Sequence, residues 1–206
     1  LSLVFLFLFL LVIVLGIEAL GSLSYVNDAA AQIRVRWLPS TRALGDLNNL
    51  TTDFPAAETT LRRAGSARER APALQQMADL DRGIAVAQLA YRQIHHDAAE
   101  DELYGRFETK WRHYRDLVNS EIASVEARDE AAKLLREQAS TAAYAAASDL
   151  LGVLTDRNVA GAREASEGSD RAYSRARSRI AATVMLAGLL VAGAMLHVTR
   201  SICAPL

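Results

Sequence analysis

Residues 77–94 read MADLDRGIAVAQLAYRQI. The apolar side chains Met77, Leu80, Ile84, Ala87, Tyr91 and Ile94 recur at steps of 3, 4, 3, 4 and 3. That spacing places them in one stripe along an α-helix and marks the seam of a helix packed lengthwise against partners. A half-buried strand would alternate apolar and polar residues at every second position, and the stretch does not.

The same rhythm continues on both sides. Leu103, Phe107, Trp111, Tyr114, Val118, Ile122 and Val125 share one helical face. Upstream, Ile33, Trp37, Ser40, Leu44, Leu47, Thr51, Phe54, Glu58 and Leu61 keep the phase, with polar members among them. Downstream, Ala147, Leu151, Leu154, Asn158, Gly161, Ala165 and Ala172 follow another seam, with small residues that let helices approach closely. Breaks fall at residues 64–72 (AGSARERAP), 95–101 (HHDAAED) and 125–131 (VEARDEA, near Asp129). Pro72 is placed near a helix start. Four helices with short connections predict an all-α, antiparallel up-down-up-down four-helix bundle. Pro39 and Pro55 fall inside the first helix and should kink or loosen it, since each removes a backbone donor. The seam keeps its phase across both, which favours one bent helix over two shorter ones. The fourth helix has no proline from Ala139 to Val198.

The chain has 206 residues, is 51% hydrophobic and carries a formal net charge of -1. These averages conceal two apolar runs, at residues 1–17 and 180–198. About 20 apolar residues of helix cross a bilayer core. The expected organisation is therefore a transmembrane helix at 1–19, a four-helix domain at 20–179, a second transmembrane helix at 180–198, and a connecting stretch at 199–206. The first run exceeds the ~7–15 apolar residues of a signal peptide and lacks its basic lead, so a retained span is expected behind a clipped N-terminus. Arg171, Arg175, Arg177 and Arg179 precede the second span and Arg200 follows it. Taken alone, that bias would put the middle domain in the cytoplasm, but the rule weakens for long translocated segments.

The middle segment has no Cys and needs neither disulfides nor a thiolate metal site. Its mixed, near-neutral charge excludes a nucleic-acid role. No phosphate loop, nucleophile elbow or acid pair with a supporting His is present, so no enzyme is expected. His95, His96 and His113 lack metal-ligand spacing, and no haem attachment motif occurs, so no cofactor is expected. The sequon at Asn49, Leu50 and Thr51 reads as chance.

Candidate ligand-binding residues cluster at the two helix ends expected furthest from the membrane. Arg62, Arg63, Arg68 and Arg70 offer guanidinium forks that suit a carboxylate. The plainer reading makes them solvated charges near a helix C-terminus. Ser140, Thr141 and Tyr144 could hydrogen-bond a ligand, or the first two could cap the fourth helix. Thr51, Glu58 and Asn158 are polar residues at seam positions, where they fix register at a cost in stability. Trp37, Trp111 and Tyr114 read as core.

The last nine residues, VTRSICAPL, resemble the start of a HAMP linker through Arg200, Ser201, Ile202, Pro205 and Leu206. Residues 37–58, WLPSTRALGDLNNLTTDFPAAE, resemble the first helix of the four-helix-bundle sensor domain of methyl-accepting chemotaxis proteins. Residues 154–166, LTDRNVAGAREAS, are similar to that family's last helix, with Asn158, Gly161 and Ala162 at matching places. The resemblance implies the input module of a bacterial chemoreceptor, anchored in the inner membrane by two spans with its sensor domain in the periplasm. It implies a homodimer that takes a small molecule or a periplasmic binding protein. A shift of the fourth helix would pass through Arg200, Pro205 and Leu206 to a cytoplasmic kinase bound further along the chain. The same module also precedes histidine kinases and diguanylate cyclases, and a ligand-free structural membrane bundle is the remaining alternative. The aspartate and serine receptors spread several arginines along the distal half of this helix. Thr51, Thr52 and Phe54 occupy that zone here, against amino-acid binding by that mode.

Overall fold

A computed structural model describes residues 2–123 and 130–203, and every element in it is helical. Helix α1 (Ser2–Gln32) passes through a π-helical turn (Ile33–Trp37) into α2 (Leu38–Arg63). Helices α3 (Ala67–Arg92), α4 (Ala98–Ala123) and α5 (Glu130–Cys203) follow. The break expected near Asp129 lies outside the described residues. The chain divides into two compact units, one of them Arg34–Ala162, the other holding the residues up to Ile33 and those from Arg163 on.

The Arg34–Ala162 unit is an antiparallel four-helix bundle of α2, α3, α4 and the N-terminal half of α5. Its core is the set of seams. Leu44, Leu47, Phe54 and Leu61 from α2 meet Met77, Leu80, Ile84 and Tyr91 from α3. Phe107, Trp111, Tyr114 and Val118 of α4 and Ala147, Leu151 and Leu154 of α5 complete it. Each large side chain buried this way contributes about 1.5–3 kcal/mol. Phe54 sits at the centre, edge-on to Trp111 (centroids 5.6 Å, 86°) and to Tyr114 (6.0 Å, 78°). On α4, Tyr104 rather than Leu103 takes the first seam place, and Leu103 is only half-buried. Ile94 is half-buried beyond the end of α3, and Val125 lies outside the described residues.

Pro39 loosens its helix as expected, and Pro55 does not. α2 continues as an α-helix through Pro55. The irregularity is the π turn at Ile33–Trp37, directly ahead of Pro39. Pro39 has no N–H to give the carbonyl of Val35 and its ring crowds that carbonyl, so the wider turn takes up the mismatch. Pro72 lies inside α3 rather than at its start. The start is set by Ser66, whose hydroxyl accepts from the Glu69 amide at 3.3 Å, while the Glu69 carboxylate accepts from the Gly65 amide at 2.9 Å.

In the other unit, α1 exposes Leu6, Phe7, Phe9, Leu10 and Val12, and α5 exposes Val184, Met185, Leu186, Leu189 and Leu196. Two helices, Phe9–Arg63 and Leu134–Leu196, contain windows long and apolar enough to cross a membrane. Where the apolar run of α1 ends, Glu18 pairs with Arg179 of α5 at 3.3 Å.

Two glycines of α5 separate packing from propensity. A Cβ on Gly161 would lie 2.2–2.7 Å from the Trp37 ring, whereas one on Gly152 would meet nothing within 4 Å. Gly152→Ala should therefore stabilise the bundle by about 0.5–1 kcal/mol, and Gly161→Ala should destabilise it by about 1–3 kcal/mol through overpacking. Denaturant melts of both variants test this; a Gly161→Ala protein as stable as Gly152→Ala would show that Trp37 does not seal that position.

Candidate functional site

At the α2–α3 turn end of the bundle, a buried carboxylate gathers three helices. Glu58 is 6% exposed. Its Oε2 accepts from the Tyr114 hydroxyl of α4 at 2.6 Å, and its Oε1 accepts from the Ser140 hydroxyl of α5 at 3.2 Å. Arg62, one turn along α2, pairs with Glu58 and reaches Glu137 of α5 at 2.7 Å. The Tyr144 ring lies 5.5 Å from that of Tyr114. Burial, then the hydrogen bond to Glu58, push the Tyr114 phenol above its ordinary range, so it stays a donor at any physiological pH. A carboxylate this deep needs both an ion-pair partner and hydrogen-bond donors, and Glu58 has them.

The structure thus brings Glu58, Arg62, Ser140 and Tyr144 together. Arg62 already holds two carboxylates, so a ligand carboxylate would have to displace one of them. Thr141 turns its hydroxyl back to the Glu137 carbonyl at 2.8 Å, and Arg63 and Arg68 are exposed. Thr51 bonds within its own helix, to the Leu47 carbonyl at 2.7 Å. Asn158 accepts from the Thr41 hydroxyl at 2.6 Å across α2 and α5. Arg200 is on α5, and Pro205 and Leu206 lie outside the described residues.

A second buried cluster, missed from sequence, occupies the opposite end of the bundle. Glu100 of α4, 1% exposed, accepts from the Tyr91 hydroxyl at 2.7 Å and from Arg36 of the π turn at 3.0 Å. His96 stacks on Tyr91 with its Nε2 2.9 Å from the Tyr91 carbonyl and its Nδ1 3.0 Å from Glu100. A carbonyl oxygen only accepts, so Nε2 carries the hydrogen there. Asp97 caps α4 by accepting the Glu100 amide at 2.9 Å, and it binds Arg36 at 3.2 Å and Arg157 of α5 at 3.0 Å. The signal was present: Glu100 stands four residues before Tyr104, in phase with the α4 seam, and D-A-A-E at 97–100 is a helix-start pattern. Among the described residues no group of three or more His, Cys, Asp or Glu is placed to hold a metal ion.

A family model described as a four helix bundle sensory module for signal transduction matches residues 1–173. The chain belongs to that family. No curated protein and no solved structure matches it. As a sensory module of the chemoreceptor type, it is part of a signalling family and not of a catalytic one. The match spans the whole bundle and the first apolar run, so the clusters at Glu58 and Glu100 both lie within the sensory module.

The Asp97 cap gives the module a defined acid limb. The Glu100 amide first, then Arg157 and Arg36, lower the Asp97 carboxyl from 3.8 to about 2. A carboxylate held below its unfolded value stabilises the fold at pH above that value and loses the effect as pH falls through the folded one. Asp97→Asn keeps the cap and removes the charge. The variant should be less stable than the parent at pH 7, and the gap should close between about pH 4 and about pH 2. Urea melts across that range decide it; a gap constant with pH would mean the two arginines do not hold the Asp97 charge.

Proposed function

We propose that this sensory module is the input half of a bacterial transmembrane chemoreceptor. Residues 1–19 and 180–198 cross the inner membrane, and the bundle lies in the periplasm as a homodimer. A small molecule or a periplasmic binding protein acts on the bundle, and α5 carries the response inward. Arg200, Pro205 and Leu206 open a HAMP linker that hands it to a cytoplasmic kinase.

The observation that carries this reading is the continuity of α5. One helix, Glu130–Cys203, bears Glu137 and Ser140 of the Glu58 cluster and also the apolar run at 180–198. In an unbroken α-helix each peptide is hydrogen-bonded four residues back, which gives a displacement a continuous path along the chain. A cue that favours one arrangement of Glu137 and Ser140 over another therefore biases the whole helix, by as much as its affinity for the two arrangements differs. The exposed apolar surfaces of α1 and α5 support the membrane placement, since water would not tolerate patches of that extent.

A hybrid receptor tests the relay. The chain is joined after α5 to the cytoplasmic kinase-control half of a chemoreceptor, and kinase activity is read in membranes against small carboxylates, amino acids and periplasmic extract. A cue should change kinase output, and two glycines inserted after Arg171 should abolish that change while leaving the bundle's melting temperature unaltered. A response that survives the insertion would remove α5 as the carrier.

A further inference from the structure

We propose that the cleft between α3 and α4 is a binding site for a small organic carboxylate, separate from the Glu58 cluster. The cleft is lined by Gln88, Arg92, Glu108, Trp111, Arg112 and Arg115 and has a volume of about 210 Å³. That is below the ~300–1,000 Å³ of sites for drug-sized ligands, so the occupant is small.

The charge balance points to an anion. Arg92 of α3 and Arg112 and Arg115 of α4 line the cleft with one carboxylate, Glu108 of α4. Glu108 is paired with Arg92 and Arg115 with Asp81, which leaves Arg112 as the surplus cation. Arg112 is exposed and makes no ion pair with any described residue. Arg115 is the more telling residue. Its Nε and Nη2 engage Asp81 of α3 in a two-pronged pair at 3.0 and 2.5 Å. Its Cζ lies 4.0 Å over the Phe54 ring, so one face of the guanidinium is closed by the core. The third nitrogen, Nη1, is buried with no hydrogen-bond partner among the described residues. A buried guanidinium N–H left without an acceptor is unfavourable, and native structures usually supply one.

Those two arginines divide the work. Arg115 is fixed in advance by Asp81 and Phe54, so a ligand that opens the cleft far enough to reach the buried Nη1 meets a donor already in place. Arg112 is free to swing and supplies the second donor. A carboxylate between them accepts from both, with the Gln88 amide as an additional donor, while Trp111 offers the apolar wall for the ligand's body. Charge-assisted hydrogen bonds of this kind are the strong ones. Arg62, the first choice from sequence, differs in that Glu58 and Glu137 already occupy it.

The site would give the sensory reading its ligand class, and its test is independent of signalling. Isothermal titration of the full chain in non-ionic detergent uses three probes: benzoate, succinate and inorganic phosphate. A carboxylate probe is expected to bind with a dissociation constant below about 1 mM. Arg112→Glu, at an exposed position, should weaken that binding at least about tenfold without changing the melting temperature of the free protein. Arg68→Ala, on an exposed residue at the start of α3, should bind as the parent does. Absence of binding by both carboxylates, binding that survives Arg112→Glu, or binding lost equally in Arg68→Ala would overturn the site. A bound probe that leaves the hybrid receptor silent would keep the site and remove the signalling role.

Discussion

Glu58 cannot be buried alone. A carboxylate removed from water needs an opposite charge and donors for its oxygens, and here they come from three different helices. Arg62 lies one turn along α2, Tyr114 comes from α4 and Ser140 from α5. Arg62 moves with Glu58, but sliding α4 or α5 by one residue would take away the Tyr114 or the Ser140 hydroxyl, at a cost of about 1–3 kcal/mol for a buried acceptor left unmet. Glu100 imposes the same demand at the other end, through Tyr91 of α3 and Arg36 of the π turn. The apolar seams supply most of the burial, but a leucine stripe tolerates slippage. The two carboxylates add interhelical hydrogen bonds whose partners meet in only one register of the helices.

This arrangement also explains the π turn. Its widened backbone accommodates Pro39 and ends on Arg36 and Trp37. Arg36 then reaches Glu100 and Asp97, and the Trp37 ring covers Gly161 on α5. One irregular turn thus fastens α2 to the α3–α4 connection and to the last helix. Such turns are often found where a protein does something besides pack.

The helices and most of the core were legible because burial in a bundle repeats with the helix. Met77, Leu80, Ile84 and Tyr91, and likewise Phe107, Trp111 and Tyr114, are buried where their spacing places them. Glu58 was legible as a polar seam residue, though not its partners, since the pairing of Tyr114 and Ser140 depends on how helices abut in space. Leu103 and Tyr104 were interchanged because both are large and apolar, and only the three-dimensional packing decides which of two adjacent residues turns inward. The Glu100 and His96 cluster was hidden because acidic residues near a helix start read as solvated. Arg115 escaped notice because nothing in a linear pattern tells a guanidinium with one unused nitrogen from one fully paired.

Hydrogen exchange on the full chain, parent against Glu58→Gln, addresses the pinning of α5 most directly. Losing the charge should leave Arg62 and Tyr114 poorly matched and release α5 around Ser140. Amides within one turn of Ser140 should then exchange at least about tenfold faster, while those around Leu154 keep the parent's protection. Unchanged protection around Ser140, with the chain otherwise folded, would show that the Glu58 carboxylate does not hold the last helix.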